Sequence, residues 1–207
     1  KVYQWPNNIP IYPIGQEANG VVAFAARKDQ LGILKRNGVW MIAASSGTTG
    51  ISSTSINVVQ IGYGKAGCIA PDSVVVINDV AYWLGIDGIY EWSNAGVKNI
   101  TNETVAPWFK SDTYFTRSRF VNCFAKYNEL RNQVEFHLAA LGSVVEDRWV
   151  AFDLTKRRWL GPHLTSTFTP SAAGYGTDAN GLPLCMVVGT YGLVYTTNSA
   201  NQRDGTA

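Results

Sequence analysis

The chain has 207 residues, of which 46% are hydrophobic and 15% are charged, and its formal net charge is +2. So small a charge argues against a required nucleic-acid partner, because binding to phosphates needs many clustered cations. All-β chains of this length commonly fold as one domain, so we expect a single domain over residues 1–207. Since soluble domains usually have about 25% charged residues, the surface is expected to be largely neutral, which suits lasting contact with proteins or sugars.

Short apolar runs recur along the chain and are separated by Gly, Asn, Asp and Pro, a pattern typical of strands and turns. They form four phrases of three runs each, which begin near residues 21, 73, 120 and 171. The predicted strands are 21–25, 31–34, 39–42, 73–77, 80–84, 89–92, 120–126, 134–138, 148–153, 171–175, 184–188 and 193–195. The pairs Asn37-Gly38 and Asp87-Gly88 favour tight type I′ hairpins, because both central residues of that turn need a positive φ.

The phrases repeat about every 50 residues, which is typical of kelch-like propellers. One small antiparallel sheet cannot bury both of its faces alone, so such units stack face to face around an axis. We therefore predict an all-β fold, a β-propeller or partial propeller of about four repeats, with 39–42, 89–92, 149–152 and 193–195 as equivalent strands. The alternative is a β-sandwich whose strands are regularly spaced by coincidence.

Segments between the phrases complete this prediction. Residues 55–61 and 166–169 are expected to add the remaining strand to their sheets, and residues 2–5 to close the ring by pairing with a late strand. Residues 103–110 favour a helix, which Pro107 limits to a turn or two. Because the chain begins at Lys1 and not at a methionine, we expect a processed protein or part of a longer one.

The stretch 67–92 reads GCIAPDSVVVINDVAYWLGIDGIYEW. This phrase, G-x-x-A-P-x-S-V-V followed by W-L-G-x-D-G-I-Y, resembles the propeller-containing tail hub and packaged-DNA stabilisation (head-to-tail connector) proteins of short-tailed bacteriophages. Residues 97–101 and the segment toward Phe109 continue the resemblance, which covers about residues 20–110. Members of this family are usually longer, so the resemblance implies that the chain holds the propeller portion.

The resemblance implies a virion structural protein of the tail or connector, present in the host cytoplasm during assembly. It implies a homo-oligomer in a symmetric ring that docks to portal and tail proteins and helps to seal packaged DNA. The motif residues have simple structural roles: Pro71 begins a strand region, Asp87-Gly88 turns the chain, and Trp83, Tyr90 and Trp92 fill the space between blades. No catalytic site is carried over.

The sequence contains no G-x-S-x-G, H-E-x-x-H or Walker motif, and its two histidines, His137 and His163, are far apart. We therefore predict no enzymatic activity, no metal site and no cofactor. His137 is expected to be solvated or packed between blades. The run 178–181 resembles part of a calcium loop but lacks its other acidic ligands, so it is interpreted as a turn.

Two sets of residues are candidates for contact with partners. Lys156, Arg157 and Arg158 follow an apolar strand and are expected at a hairpin tip, which either docks to a partner or is an ordinary solvated turn. The loop 141–148 is the second candidate for docking. In the alternative function, a carbohydrate-binding propeller such as a lectin-like or receptor-binding module, exposed Trp108, Trp149 or Trp159 would stack on sugars. Trp108 and Trp159 are the candidate contact residues in this alternative.

Cys68, Cys123 and Cys185 are more than fifty residues apart and each lies among apolar neighbours. Their odd number and spacing exclude local zinc and thioredoxin patterns and favour buried, reduced thiols in a reducing compartment. No apolar run approaches the length of a membrane span.

Overall fold

The computed structural model describes residues 20–44, 56–101, 105–165, 169–189 and 191–196 of the chain. Across these ranges the strands form four separate antiparallel sheets and the helical elements are short. The described strands form no closed barrel. The all-β prediction is therefore confirmed.

In each sheet the strands are adjacent in chain order, so each sheet is a simple meander. The first sheet comprises β1 (Val21–Arg27), β2 (Gln30–Lys35), β3 (Gly38–Ala44) and β4 (Ile56–Tyr63). The second comprises β5 (Val75–Ile77), β6 (Val80–Leu84), β7 (Ile89–Ser93) and β8 (Gly96–Asn99). The third comprises β9 (Phe124–Asn128), β10 (Gln133–Leu138), β11 (Arg148–Asp153) and β12 (Arg158–Leu164). The fourth comprises β13 (Pro170–Thr177), β14 (Pro183–Gly189) and β15 (Val194–Thr196).

The helical elements are α1 (Ala106–Lys110) and three 3-10 turns, at Gly64–Ala66, Pro71–Ser73 and Arg117–Asn122. Helix α1 lies within the segment 103–110 and makes little more than one turn, as predicted. Pro107 stands at its start, where the missing N–H costs no hydrogen bond. None of the helices in these ranges is long and apolar enough to cross a membrane.

The predicted repeat corresponds to the sheets. The runs 39–42, 89–92, 149–152 and 193–195 overlap β3, β7, β11 and β15, and each of these is the third strand of a different sheet. The first strands also neighbour one another in order, since β5 contacts β1 and β9, and β9 contacts β13. Each phrase therefore forms one structural unit, and each unit packs beside the next along the chain.

The first and third sheets each have a fourth strand, and that of the first sheet agrees with the prediction. Residues 55–61 largely coincide with β4. In the third sheet the fourth strand is β12 (Arg158–Leu164), which follows β11 directly after a short turn. Residues 166–168, and the segment 2–5 predicted to close the ring, lie outside the described residues.

The tight hairpin with two positive φ angles forms at Asn78-Asp79, where φ is 48° and 62°. It does not form at Asn37-Gly38, because Gly38 is already the first residue of β3 and pairs with Lys35. A Cβ on Gly38 would lie 2.9 Å from the carbonyl oxygen of Gly62. This glycine is therefore required by close strand packing and not by the turn.

Apolar clusters fill the spaces on both sides of the second sheet. Side chains alternate along β6, so Ala81 and Trp83 join a cluster with the first sheet, while Tyr82 and Leu84 join a cluster with the third. All four side chains are buried. Burial on both faces explains why this strand is continuously apolar instead of alternating.

We predict that Leu84→Ala lowers the free energy of unfolding by about 2–5 kcal/mol, because it leaves a cavity in a fully buried cluster. The control is Leu130→Ala at a turn where the leucine is 59% exposed, and we expect a change within about 0.5 kcal/mol. Equilibrium unfolding in urea measures both. Equal losses in the two variants would contradict the packing of the second sheet against the third.

Candidate functional site

The basic cluster lies at the turn between β11 and β12, and Lys156, Arg157 and Arg158 are all exposed. The carboxylate of Asp153 organises this turn by accepting hydrogen bonds from the backbone N–H groups of Thr155 and Lys156, at 3.0 and 2.8 Å. The predicted hairpin tip is therefore confirmed. Whether it contacts a partner stays a prediction.

Arg157 differs from its two neighbours, because its guanidinium reaches the second sheet. Its Nη2 donates to Glu91 Oε1 at 2.8 Å, and its Cζ lies 4.9 Å from the centroid of the Phe152 ring. The carboxylate of Glu91 is largely buried, so Arg157 neutralises a charge that the fold has removed from water. Lys156 and Arg158 are thus the members of the cluster better placed for contact with another molecule.

Arg27 makes a corresponding contact on the other side of the second sheet. Its Nε donates to the carbonyl oxygen of Asp79 at 2.7 Å, and its Nη2 contacts Asp79 Oδ2 at 3.0 Å and Asn94 Oδ1 at 2.6 Å. The guanidinium also lies 4.6 Å from the Trp92 ring centroid. The N–H of Lys28 and then Arg27 itself hold the pKa of Asp79 below its usual range. Arginines therefore join the second sheet to both neighbours.

The predicted tryptophan platforms are packed against other rings. Trp159 lies 5.0 Å from Phe152 between ring centroids, and its indole N–H donates to the carbonyl oxygen of Ile100 at 3.0 Å. Trp108 is half-buried, 5.9 Å from the ring of Tyr114. Trp149 is buried, with the ring of His163 4.1 Å away. These contacts give the three indoles roles in packing, and sugar binding by them stays untested.

One face of the third sheet carries buried polar side chains. Lys126 Nζ lies 3.0 Å from Glu135 Oε2, and both side chains are almost fully buried. Asn128 donates to the other oxygen of Glu135 at 2.8 Å. The adjacent strands β9 and β10 place these groups directly opposite one another, since Lys126 pairs with Glu135. The ion pair is therefore formed within the sheet, and Asn128 shares the carboxylate of Glu135.

His137 lies beside this pair and stacks on Phe124, with ring centroids 4.5 Å apart. Neither ring nitrogen has a hydrogen-bond partner. Burial, and to a lesser degree the charge of Lys126, holds the pKa of His137 well below its usual range. His137 is thus packed inside the fold in its neutral form, which confirms the packed interpretation over the solvated one.

The cysteines are free and buried, as predicted. Burial raises the pKa of Cys68 to about 11 and the pKa of Cys123 well above its usual range. These thiols are therefore poor nucleophiles in the folded chain. Within the described ranges no group of three or more His, Cys, Asp or Glu side chains is arranged to hold a metal ion.

The loop 141–148 presents apolar side chains on a fixed backbone. Leu141 and Val144 are exposed, the latter at 76%. Arg119 Nη2 contacts Glu146 Oε1 at 2.8 Å, and Asp147 Oδ1 accepts a hydrogen bond from the N–H of Ala140 at 2.9 Å. A loop held at its base while exposing apolar side chains is suited to contact with another protein.

Comparison with known proteins gives a likeness of fold. No family model and no curated protein matches the sequence. Among solved structures, the chain is similar to the extracellular domain of BT4673 from B. thetaiotaomicron, described as a one component system, with a TM-score of 0.52 and 13% identity. The match covers 93% of this chain and 23% of that chain, so the chain spans under a quarter of its length. At this identity the likeness concerns the fold alone.

We predict that Arg157→Gln lowers the free energy of unfolding by about 1 kcal/mol, because it leaves the Glu91 carboxylate unpaired. The effect is this small because water around the half-exposed Arg157 already screens the contact. Lys156→Gln and Arg158→Gln are matched controls at the same turn and should change it by less than about 0.5 kcal/mol. Urea unfolding measures all three. Three equal effects would contradict the special role of Arg157.

A second prediction concerns pH. The ordinary pKa of histidine is 6.5, and folding lowers that of His137, so below this pH the unfolded chain binds a proton that the folded chain does not. Stability should fall as pH drops from 7 to 5, by at most ~1.4 kcal/mol per pH unit. Urea unfolding across this range should show a shallower slope for His137→Phe than for the parent protein. An equal slope in the two proteins would refute the buried neutral imidazole.

Proposed function

We propose that the chain is a rigid β-propeller module of a bacteriophage virion, a tail hub or head-to-tail connector component. In this proposal it docks to copies of itself and to portal and tail proteins, and helps to seal packaged DNA. It performs no catalysis and binds no cofactor. The observation that carries the proposal is the phrase 67–92, which forms most of the second sheet.

The arrangement of the sheets supports a propeller over a sandwich. A sandwich would place the equivalent strands β3, β7, β11 and β15 in two packed sheets, whereas each belongs to its own sheet. The first strands lie side by side in order, as strands around an axis would. The second sheet is covered on both faces, which is the expected environment of an internal blade.

The phrase 67–92 supports the resemblance to connector proteins because its residues are structural. Ser73 Oγ donates to the carbonyl oxygen of Ala70 at 2.7 Å and accepts from the N–H of Leu84 at 3.0 Å. The indole of Trp83 donates to the carbonyl oxygen of Ala66 at 2.9 Å. The backbone N–H of Cys68 donates to the carbonyl oxygen of Lys35, also at 2.9 Å. The phrase thus connects the second sheet to the first by hydrogen bonds, which suits a rigid structural module.

Docking is assigned to the exposed loop 141–148 and to Lys156 and Arg158. Repeated subunits around a tail must make identical contacts, so closed rotational symmetry is the expected arrangement. A neutral surface with exposed apolar side chains favours such permanent contacts. The carbohydrate-binding alternative is less well supported, since Trp149 and Trp159 are engaged in packing.

We predict that the protein is a fixed-stoichiometry component of purified phage particles and lies at the tail vertex. Quantitative mass spectrometry of particles and immunogold labelling test this. Absence from the particles, or a source that makes no particles, would overturn the proposal.

A complementation experiment then tests the docking surface. A Lys156→Ser and Arg158→Ser double variant, which keeps Arg157 and its contact with Glu91, should reduce the yield of tailed particles. Lys98→Ser, at an exposed position of β8, is the matched control and should assemble normally. Full assembly of the double variant would exclude the basic tip as a docking site.

A further inference from the structure

A groove of 470 Å³ lies where three consecutive sheets meet. It is bordered by the ends of β5, β9 and β13 and by the start of β14. Ile77, Pro183 and Leu184 supply apolar lining, and the tyrosines at 127 and 175 add aromatic rings. Grooves of this size and mixed lining are typical of small-molecule sites.

The two tyrosine rings that line the groove differ: Tyr175 is exposed to solvent, and Tyr127 is held by a hydrogen bond. Tyr175 is 70% exposed, although it lies on β13 within the sheet. Tyr127 is half-buried, and its hydroxyl donates to Asn132 Oδ1 at 3.0 Å, which holds its ring in place. The groove therefore has one ring already positioned and one that a ligand would cover.

Glu129 is the charged residue among those that line the groove. It is exposed at the turn after β9. Within the described ranges no cation forms an ion pair with its carboxylate. Glu129 and Tyr127 both line the groove, and the carboxylate, after burial, helps to raise the pKa of that tyrosine.

These features select among ligand classes. An anion would be repelled by Glu129, and a neutral sugar would leave the charge of that carboxylate unpaired. A purely apolar molecule would cover the carboxylate without neutralising it. An ammonium group on an apolar body satisfies each part, since the carboxylate pairs with the charge, tyrosine rings attract cations, and the apolar lining covers the body.

We propose that this groove binds a small organic ammonium ion that carries an apolar or aromatic body. The ammonium group lies at Glu129 and Tyr127, and the body lies along Ile77 and Leu184 under the ring of Tyr175. The site is independent of the proposed virion role and of the docking surface.

NMR titration of the full chain tests the proposal with three probes of similar shape: phenethylammonium, 2-phenylethanol and 3-phenylpropionate. The expected order of affinity is cation, then neutral, then anion, with about fivefold between cation and neutral probe, as for a solvent-exposed charge pair. The shifted backbone signals should be those of the groove residues on β5, β9, β13 and β14.

Variants identify the responsible groups. Glu129→Gln should abolish the preference for the cation, and Tyr175→Ser should weaken all probes. Asp29→Asn, at the exposed first hairpin of the first sheet, is the matched control and should bind as the parent does. Equal affinity for cation and neutral probe, an unchanged preference in Glu129→Gln, or signals shifted elsewhere would each overturn the proposal.

Discussion

The fold depends on the burial of both faces of the second sheet. The indole of Trp83 faces the first sheet and the side chain of Leu84 faces the third, and neither is exposed to solvent. A sheet of three to five residues per strand has little stability alone. Its stability must come from its neighbours, which explains why the units occur as a packed series.

Charged side chains add direction to this apolar packing. Arg27 and Arg157 approach the second sheet from opposite sides, each stacked on an aromatic ring and bonded to a carboxylate. The arginine stems cover apolar surface while the planar heads make several hydrogen bonds, a combination that lysine would not reproduce. Such contacts fix the angle at which neighbouring sheets meet, which non-directional apolar contacts leave undetermined.

The strands were predictable from the sequence because their signals are local. The runs 80–84 and 89–92, bounded by turn residues, specify strands wherever they lie, and β6 and β7 follow them closely. Contacts between sheets could not be predicted in this way. Nothing near Arg157 in the sequence indicates that it pairs with Glu91, 66 residues away. The sequence around Trp159 also does not distinguish an indole that stacks on a ligand from one that packs on Phe152. Lys126 and Glu135, which are charged residues inside apolar strands, were a local sign of a buried pair.

The different polar contacts also bear on how the chain reaches this structure. Units of similar size and shape are prone to docking in the wrong order while a repeat protein folds. The first junction uses Arg27 with Asp79 and the next uses Arg157 with Glu91, while the face of the third sheet turned from the second carries Lys126 with Glu135. A misplaced sheet would leave Glu91 without Arg157 and Asp79 without Arg27, whereas Lys126 and Glu135 stay paired within their own sheet. The order of the units is thereby encoded in their faces as well as in the connections of the chain.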